Sequence, residues 1–96
     1  MFVIAAQWYA KAGQDDEVAR LARLMIPHSR SEAGCALFMV NRSADDPRKF
    51  LLYEQFVDKA AFEAHTRTQP FKDIVLDQIV PLLETRVRDI YGLVEP

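Results

Sequence analysis

Phe50-Leu-Leu-Tyr-Glu-Gln-Phe-Val-Asp-Lys-Ala-Ala-Phe-Glu-Ala-His-Thr-Arg-Thr-Gln-Pro-Phe71 reads as a strand that runs into a short helix, a break, and a second helix start. Phe50 to Val57 is rich in aromatic and β-branched residues, with one acid, Glu54, in its middle. Asp58 is a good N-cap for a helix from Lys59, because its short carboxylate can accept from the free backbone N–H groups of the first turn. On that helix Ala61, Phe62 and His65 share the apolar face. Thr68 followed by Pro70 signals a fresh helix start. One carboxylate in a strand and one imidazole on the next helix therefore point at the same layer between sheet and helices.

Working outward, Phe2 to Lys11 reads as a first strand, with Phe2, Ile4, Ala6 and Trp8 on one face and Val3, Ala5, Gln7 and Tyr9 on the other. Both faces are largely apolar, unlike a strand with one wet side. Gly13 ends it, and Asp15 or Asp16 is expected to cap a helix running from about Asp16 toward Ser31. Val18, Leu21, Ala22 and Met25 make its buried stripe. Glu17, Arg20 and Arg23 read as its solvated face. Pro27 lacks a backbone donor and should kink this helix, with Gly34 as the terminator. His28 is expected at the surface near that kink. Cys35 to Arg42 is a second strand, with Leu37, Met39 and Asn41 opposite Ala36, Phe38, Val40 and Arg42. Ser43 to Arg48 is a hairpin loop by composition. After Pro70, the residues Phe71, Ile74, Val75 and Ile79 form another stripe that Pro81 ends. Glu84 to Leu93 is the last strand.

The order is β-α-β-β-α-β, which predicts an α+β, ferredoxin-like domain spanning residues 1–96, with a four-stranded antiparallel sheet and helices on one face. Helices cover one face only. The other would leave Val3, Ala5, Tyr9, Leu51, Tyr53 and Ile90 in water, and an apolar patch of that size marks an interface. The expectation is a homodimer packed sheet on sheet, a dimeric α+β barrel.

Composition narrows the function. The chain has 96 residues, half of them apolar, and a net charge of −2. It has no basic stripe, which disfavours nucleic acid. Its apolar runs are too short to span a bilayer. No signal-like segment is read at the N-terminus, and the single cysteine, Cys35, fits a reducing compartment, so a cytoplasmic protein is expected. Cys35 itself reads as a buried free thiol. No metal-ligand spacing, GxGxxG or Walker loop is present, so no metal site is expected.

Three stretches carry a family resemblance: Ser29-Arg-Ser-Glu-Ala-Gly-Cys35, Tyr53-Glu-Gln-Phe56, and Ala61-Phe62-Glu-Ala-His65 with Phe71 beyond. Over essentially its whole length the chain resembles the antibiotic biosynthesis monooxygenase (ABM) domain, of the small quinol-monooxygenase-like type. The resemblance implies a dimer with sheets face to face and a pocket between sheet and helices in each subunit. It implies a cofactor-independent oxygenase that needs no flavin and acts with dioxygen on a small aromatic quinol or polyphenol. Haem-degrading relatives carry Asn on the first strand and Trp on the short helix, where Ala6 and His65 stand here, so haem degradation is disfavoured. Anthrone-oxidising relatives use polar residues and a Trp beside the substrate, and Trp8 and Asn41 are residues of those types here, without an alignment to those positions.

Such chemistry needs a base for the substrate hydroxyl, for which His65 is the candidate, with Glu54 beside it to hold its tautomer; the alternative for His65 is a satisfied structural histidine. Trp8, Phe38, Asn41, Phe56, Phe62 and Phe71 are the candidate substrate-binding residues. Glu54 has a structural alternative: a bond to a backbone group, or to an arginine such as Arg86 or Arg88 across the dimer. Two other functions fit the same residues. One is an isomerase of a small oxygenated metabolite that uses Glu54 and His65 to move protons. The other is a non-catalytic dimeric binding or stress-response module.

Overall fold

A computed structural model describes residues 1–95. The elements in chain order are β1 (Phe2–Ala10), α1 (Asp15–Arg30), β2 (Cys35–Arg42), β3 (Lys49–Phe56), α2 (Lys59–His65), α3 (Phe71–Ile79), a 3₁₀ turn (Val80–Leu82) and β4 (Leu83–Gly92). The strands form one antiparallel sheet in the order β2-β3-β1-β4. This is the expected ferredoxin-like arrangement.

Strand alternation sorts the core. Ile4, Ala6, Trp8 and Ala10 of β1 join Phe50, Leu52 and Phe56 of β3 and Phe38 of β2 on the helix side. Val18, Leu21, Ala22 and Met25 close over them from α1, Phe62 from α2, and Phe71, Val75 and Ile79 from α3. The four-residue spacing of the α3 anchors matches its winding. It is a π-helix that ends with the Val80 N–H donating to the Val75 carbonyl, five residues back.

Two local expectations are corrected. The N-cap of α1 is Gln14, which makes no side-chain cap bond. Asp15 and Asp16 lie inside the first turn, where both carboxylates accept from Arg42. The length of helix α1, in contrast, is as expected: it runs on through Pro27 to Arg30. The exposed Pro27 faces solvent, so water can satisfy the carbonyl its missing N–H leaves free. Finally, the apolar patch on the open face is composed differently. Val3 is buried even within one chain, at 3% exposure. Ile90 pairs directly with Ile4, which puts it on the helix side. Met39, Leu51, Val87 and Tyr91 are the large apolar residues that the open face exposes.

Candidate functional site

Three local devices aim the site residues. The first is the exit of α1. Arg30 donates twice to the Phe38 carbonyl, at 3.1 and 2.9 Å, and ties the helix end to β2. The chain then turns tightly, with Glu32 N–H donating to the Ser29 carbonyl and Cys35 N–H to the Glu32 carbonyl. This turn brings Glu32 beneath α2. The second device is Gly34. A Cβ built there would lie 2.4 Å from the Ala61 Cβ, so only glycine lets α2 settle this close. The third is the pair of caps on α2. The Asp58 carboxylate accepts from Ala61 N–H at 2.8 Å, as the sequence predicts. Thr68 donates to the His65 carbonyl and accepts from Phe71 N–H, which locks α2 to α3.

The product is a buried imidazole flanked by two carboxyl groups. His65 is 3% exposed. Its Nδ1 lies 3.0 Å from both carboxylate oxygens of Glu32. Its Nε2 faces Glu54 Oε1 at 3.8 Å, too far for a hydrogen bond. Glu32, not Glu54, is therefore the carboxylate that orients the imidazole. A carboxylate on Nδ1 keeps the proton there and leaves Nε2 as the free position. Phe38, Phe56, Phe62 and Phe71 surround the ring, with centroids 5.1 to 6.3 Å away.

Glu54 is 4% exposed, and its Oε1 has no hydrogen-bond partner. Burial pushes its carboxyl up to about 7, against the pull of Arg88 and Arg86. No bond to either arginine forms within the chain, and both stand on the helix side of the same sheet. Burial also pushes the Cys35 thiol up, which makes it a poor nucleophile. Glu32 and Glu54 sit on opposite nitrogens of His65. Among the described residues no three metal-ligating groups converge on one point.

Trp8, Phe38, Glu54, Phe62, His65 and Phe71 all line one cavity between sheet and helices, and Arg86 and Arg88 stand at its β4 side. Space open to the centre of a water-sized sphere is about 30 Å³, room for a water or two. An outer groove of about 480 Å³ shares Phe62, Phe71, Arg86 and Arg88 with this cavity.

Two candidate residues fall outside it. Phe56 is fully buried against the imidazole and does not line the cavity. Asn41 pairs with Leu51 on the open face and donates to its carbonyl at 3.2 Å, because odd positions of β2 point away from the helices. Glu32 had no role in the sequence reading. It lies 33 positions from His65, and no periodicity links them.

Comparison with known proteins adds the following. A sequence profile described as "Antibiotic biosynthesis monooxygenase" matches residues 1–76. The chain is 28% identical over 75 residues to the Bacillus subtilis protein named "Putative monooxygenase YcnE", covering 78% of this chain and 79% of that one. It is 29% identical over 73 residues to an uncharacterised protein of Synechocystis; the match takes in 76% of this chain and half the length of that protein. Among solved structures, a Shewanella oneidensis protein superposes with a TM-score of 0.88 at 30% identity, covering 94% of this chain and 87% of that one.

Proposed function

From the chain's membership of the antibiotic biosynthesis monooxygenase family, we propose that it is a cofactor-independent monooxygenase that oxidises a small aromatic quinol or polyphenol with dioxygen. One observation carries this reading. An imidazole held on Nδ1 by Glu32 turns Nε2 toward an unpartnered carboxyl inside an aromatic-walled cavity.

The chemistry follows from what a quinol needs. His65 Nε2 takes the proton of a substrate hydroxyl, and the Glu32 carboxylate stabilises the imidazolium that forms. Glu54, poised near neutrality, passes that proton on. The quinolate gives one electron to dioxygen, and the radical pair joins as a C–O bond. The resulting peroxide loses water. For a hydroquinone the sum is one quinol plus one dioxygen giving one hydroxyquinone plus one water. The aromatic walls exclude bulk water, which strengthens the charge interactions inside. An aromatic ring needs more room than about 30 Å³, so binding displaces the Phe62 and Phe71 rings toward the groove. The reading includes a homodimer through the open sheet face.

Oxygen uptake by metal-free protein, across a panel of hydroquinones and anthrones, is the test. Uptake above autoxidation is expected, with kcat falling roughly a hundredfold or more in His65→Ala. Glu32→Gln should fall at least about tenfold in kcat with KM little changed, because the imidazolium loses its counter-charge. Uptake that persists in His65→Ala removes this proton chain from the mechanism. Proton exchange into a substrate without oxygen uptake supports an isomerase instead, and no turnover of any kind supports a binding module.

A further inference from the structure

The proton chain leaves two charged groups of the cavity unused. Arg86 pairs with Trp8 and Arg88 with Ala6 across the β1–β4 ladder, so both side chains leave the sheet on the helix side. Both line the inner cavity and the outer groove. Three arginines have carboxylate partners: Arg20 with Glu17, Arg42 with Asp15 and Asp16, and Arg48 with Glu84; among the described residues Arg23, Arg30 and Arg67 have none, but none of these lines the cavity or the groove. Among the described residues Arg86 and Arg88 are in no ion pair. Glu63, which also lines the groove, is already matched by Lys59 at 3.9 Å.

Both are exposed residues two positions apart on one strand face, so they repel each other and an anion can reach both from solvent. Partial burial lowers the Arg86 pKa and repulsion from Arg88 lowers it further, against the opposing attraction of Glu54. The Arg88 guanidinium sits 5.1 Å from the centre of the Phe62 ring, which holds it over the boundary between cavity and groove. Glu54 makes no ion pair with either guanidinium; its one basic neighbour within 4 Å is His65.

We propose that Arg86 and Arg88 form an anion clamp, and that the ligand is an aromatic ring bearing a carboxylate or a phosphate. The ring enters the aromatic cavity, and the anionic group stays at the β4 side between the two guanidiniums. Guanidinium groups suit this task because each presents two parallel N–H donors to a planar or tetrahedral oxyanion. The inference rests on the reading of the cavity as the substrate site, but it does not depend on which reaction occurs there.

The experiment is anaerobic calorimetry with 2,5-dihydroxybenzoate, its methyl ester and hydroquinone, so that no turnover intervenes. Phenyl phosphate against phenol supplies the phosphate arm. The acid should bind roughly tenfold or more tighter than the ester. That ratio should fall toward one in Arg86→Gln/Arg88→Gln, whose fold is checked by circular dichroism. A larger gain from phosphate than from carboxylate supports the clamp and identifies its anion as phosphate. An ester that binds as well as the acid, a preference that survives in the double variant, or no binding of any probe overturns the clamp. Oxygen uptake on hydroquinone is measured separately. Uptake without an acid preference keeps the oxygenase and removes the clamp, and an acid preference without uptake does the reverse.

Discussion

Glu54 carries an energetic cost that its neighbours only partly relieve. A carboxyl that is 4% exposed, with one oxygen unpartnered, is held in a site that opposes its ionisation, and its pKa sits at about 7 rather than 4.5. The consequence for stability has a definite sign. Below about pH 4.5 the group is protonated in both the folded and the unfolded chain. Between 4.5 and 7 the unfolded chain gives up the proton while the folded one keeps it, so stability falls as pH rises. Above 7 the difference is constant, at most about 3 kcal/mol. Glu54→Gln removes this dependence. Its melting temperature should gain on the native protein as pH rises from 5 to 7 and then hold a steady lead, read by thermal melts at a series of pH values. A native protein whose stability difference from Glu54→Gln is flat over that window would mean that the carboxyl is solvated. The same poise near neutrality is what proton transfer to and from a quinol needs, so the stability cost and the proposed chemistry come from one cause.

Helix α2 is short, and its position is decided by what lies beneath it. Seven residues cannot hold a helix in isolation. The Asp58 cap, the Thr68 link to α3 and the contact with Gly34 fix it instead. Gly34 also accepts from Val57 N–H through its carbonyl, at 2.9 Å, so the α1 exit and the start of α2 move together. Gly34→Ala would force its new methyl into Ala61, which belongs to the helix that carries His65. The expected cost is about 1–3 kcal/mol in chemical denaturation, the usual size for overpacking. The Glu32–His65 hydrogen bond should be disturbed as well, visible as a shifted imidazole resonance by NMR. A variant with native stability and a native imidazole signal would show that α2 is not held by this contact. Helix α3 is wound more widely than an α-helix, and such turns are concentrated at functional sites. Phe71 begins it and borders both cavity and groove, so the least regular helix lies where a ligand would enter.

At the scale of the molecule, one sheet face is covered and the other is not. Met39, Leu51, Val87 and Tyr91 are 41 to 53% exposed on the open face. Pairing that face with its copy is the proposal of an α+β barrel, and Leu51→Glu tests it by placing like charges opposite each other across a two-fold axis. Analytical ultracentrifugation should give twice the chain mass for the native protein and a monomer for the variant; a native monomer would remove the dimer. The fold as a whole could be read from local pattern. The apolar, aromatic-rich runs along Phe2–Ala10 and Lys49–Phe56, the Val18–Met25 stripe and the Asp58 cap are short-range regularities, and they led to the element order and the layered α+β architecture. Much of the cavity could be read too, since Trp8, Phe38, Glu54, Phe62 and His65 fall on the helix side by parity or helical spacing. Asn41 was out of place by that same parity. What pattern could not supply was the partner of the imidazole. Glu32 and His65 meet only because the α1 exit turns under α2 past a glycine. Likewise Arg86 and Arg88 face Glu54 only through the β1–β4 register, and only burial among these neighbours raises the Glu54 carboxyl. Secondary structure is set by neighbours in sequence, whereas protonation and recognition depend on distances between groups that the chain brings together only when the sheet and helices close on each other.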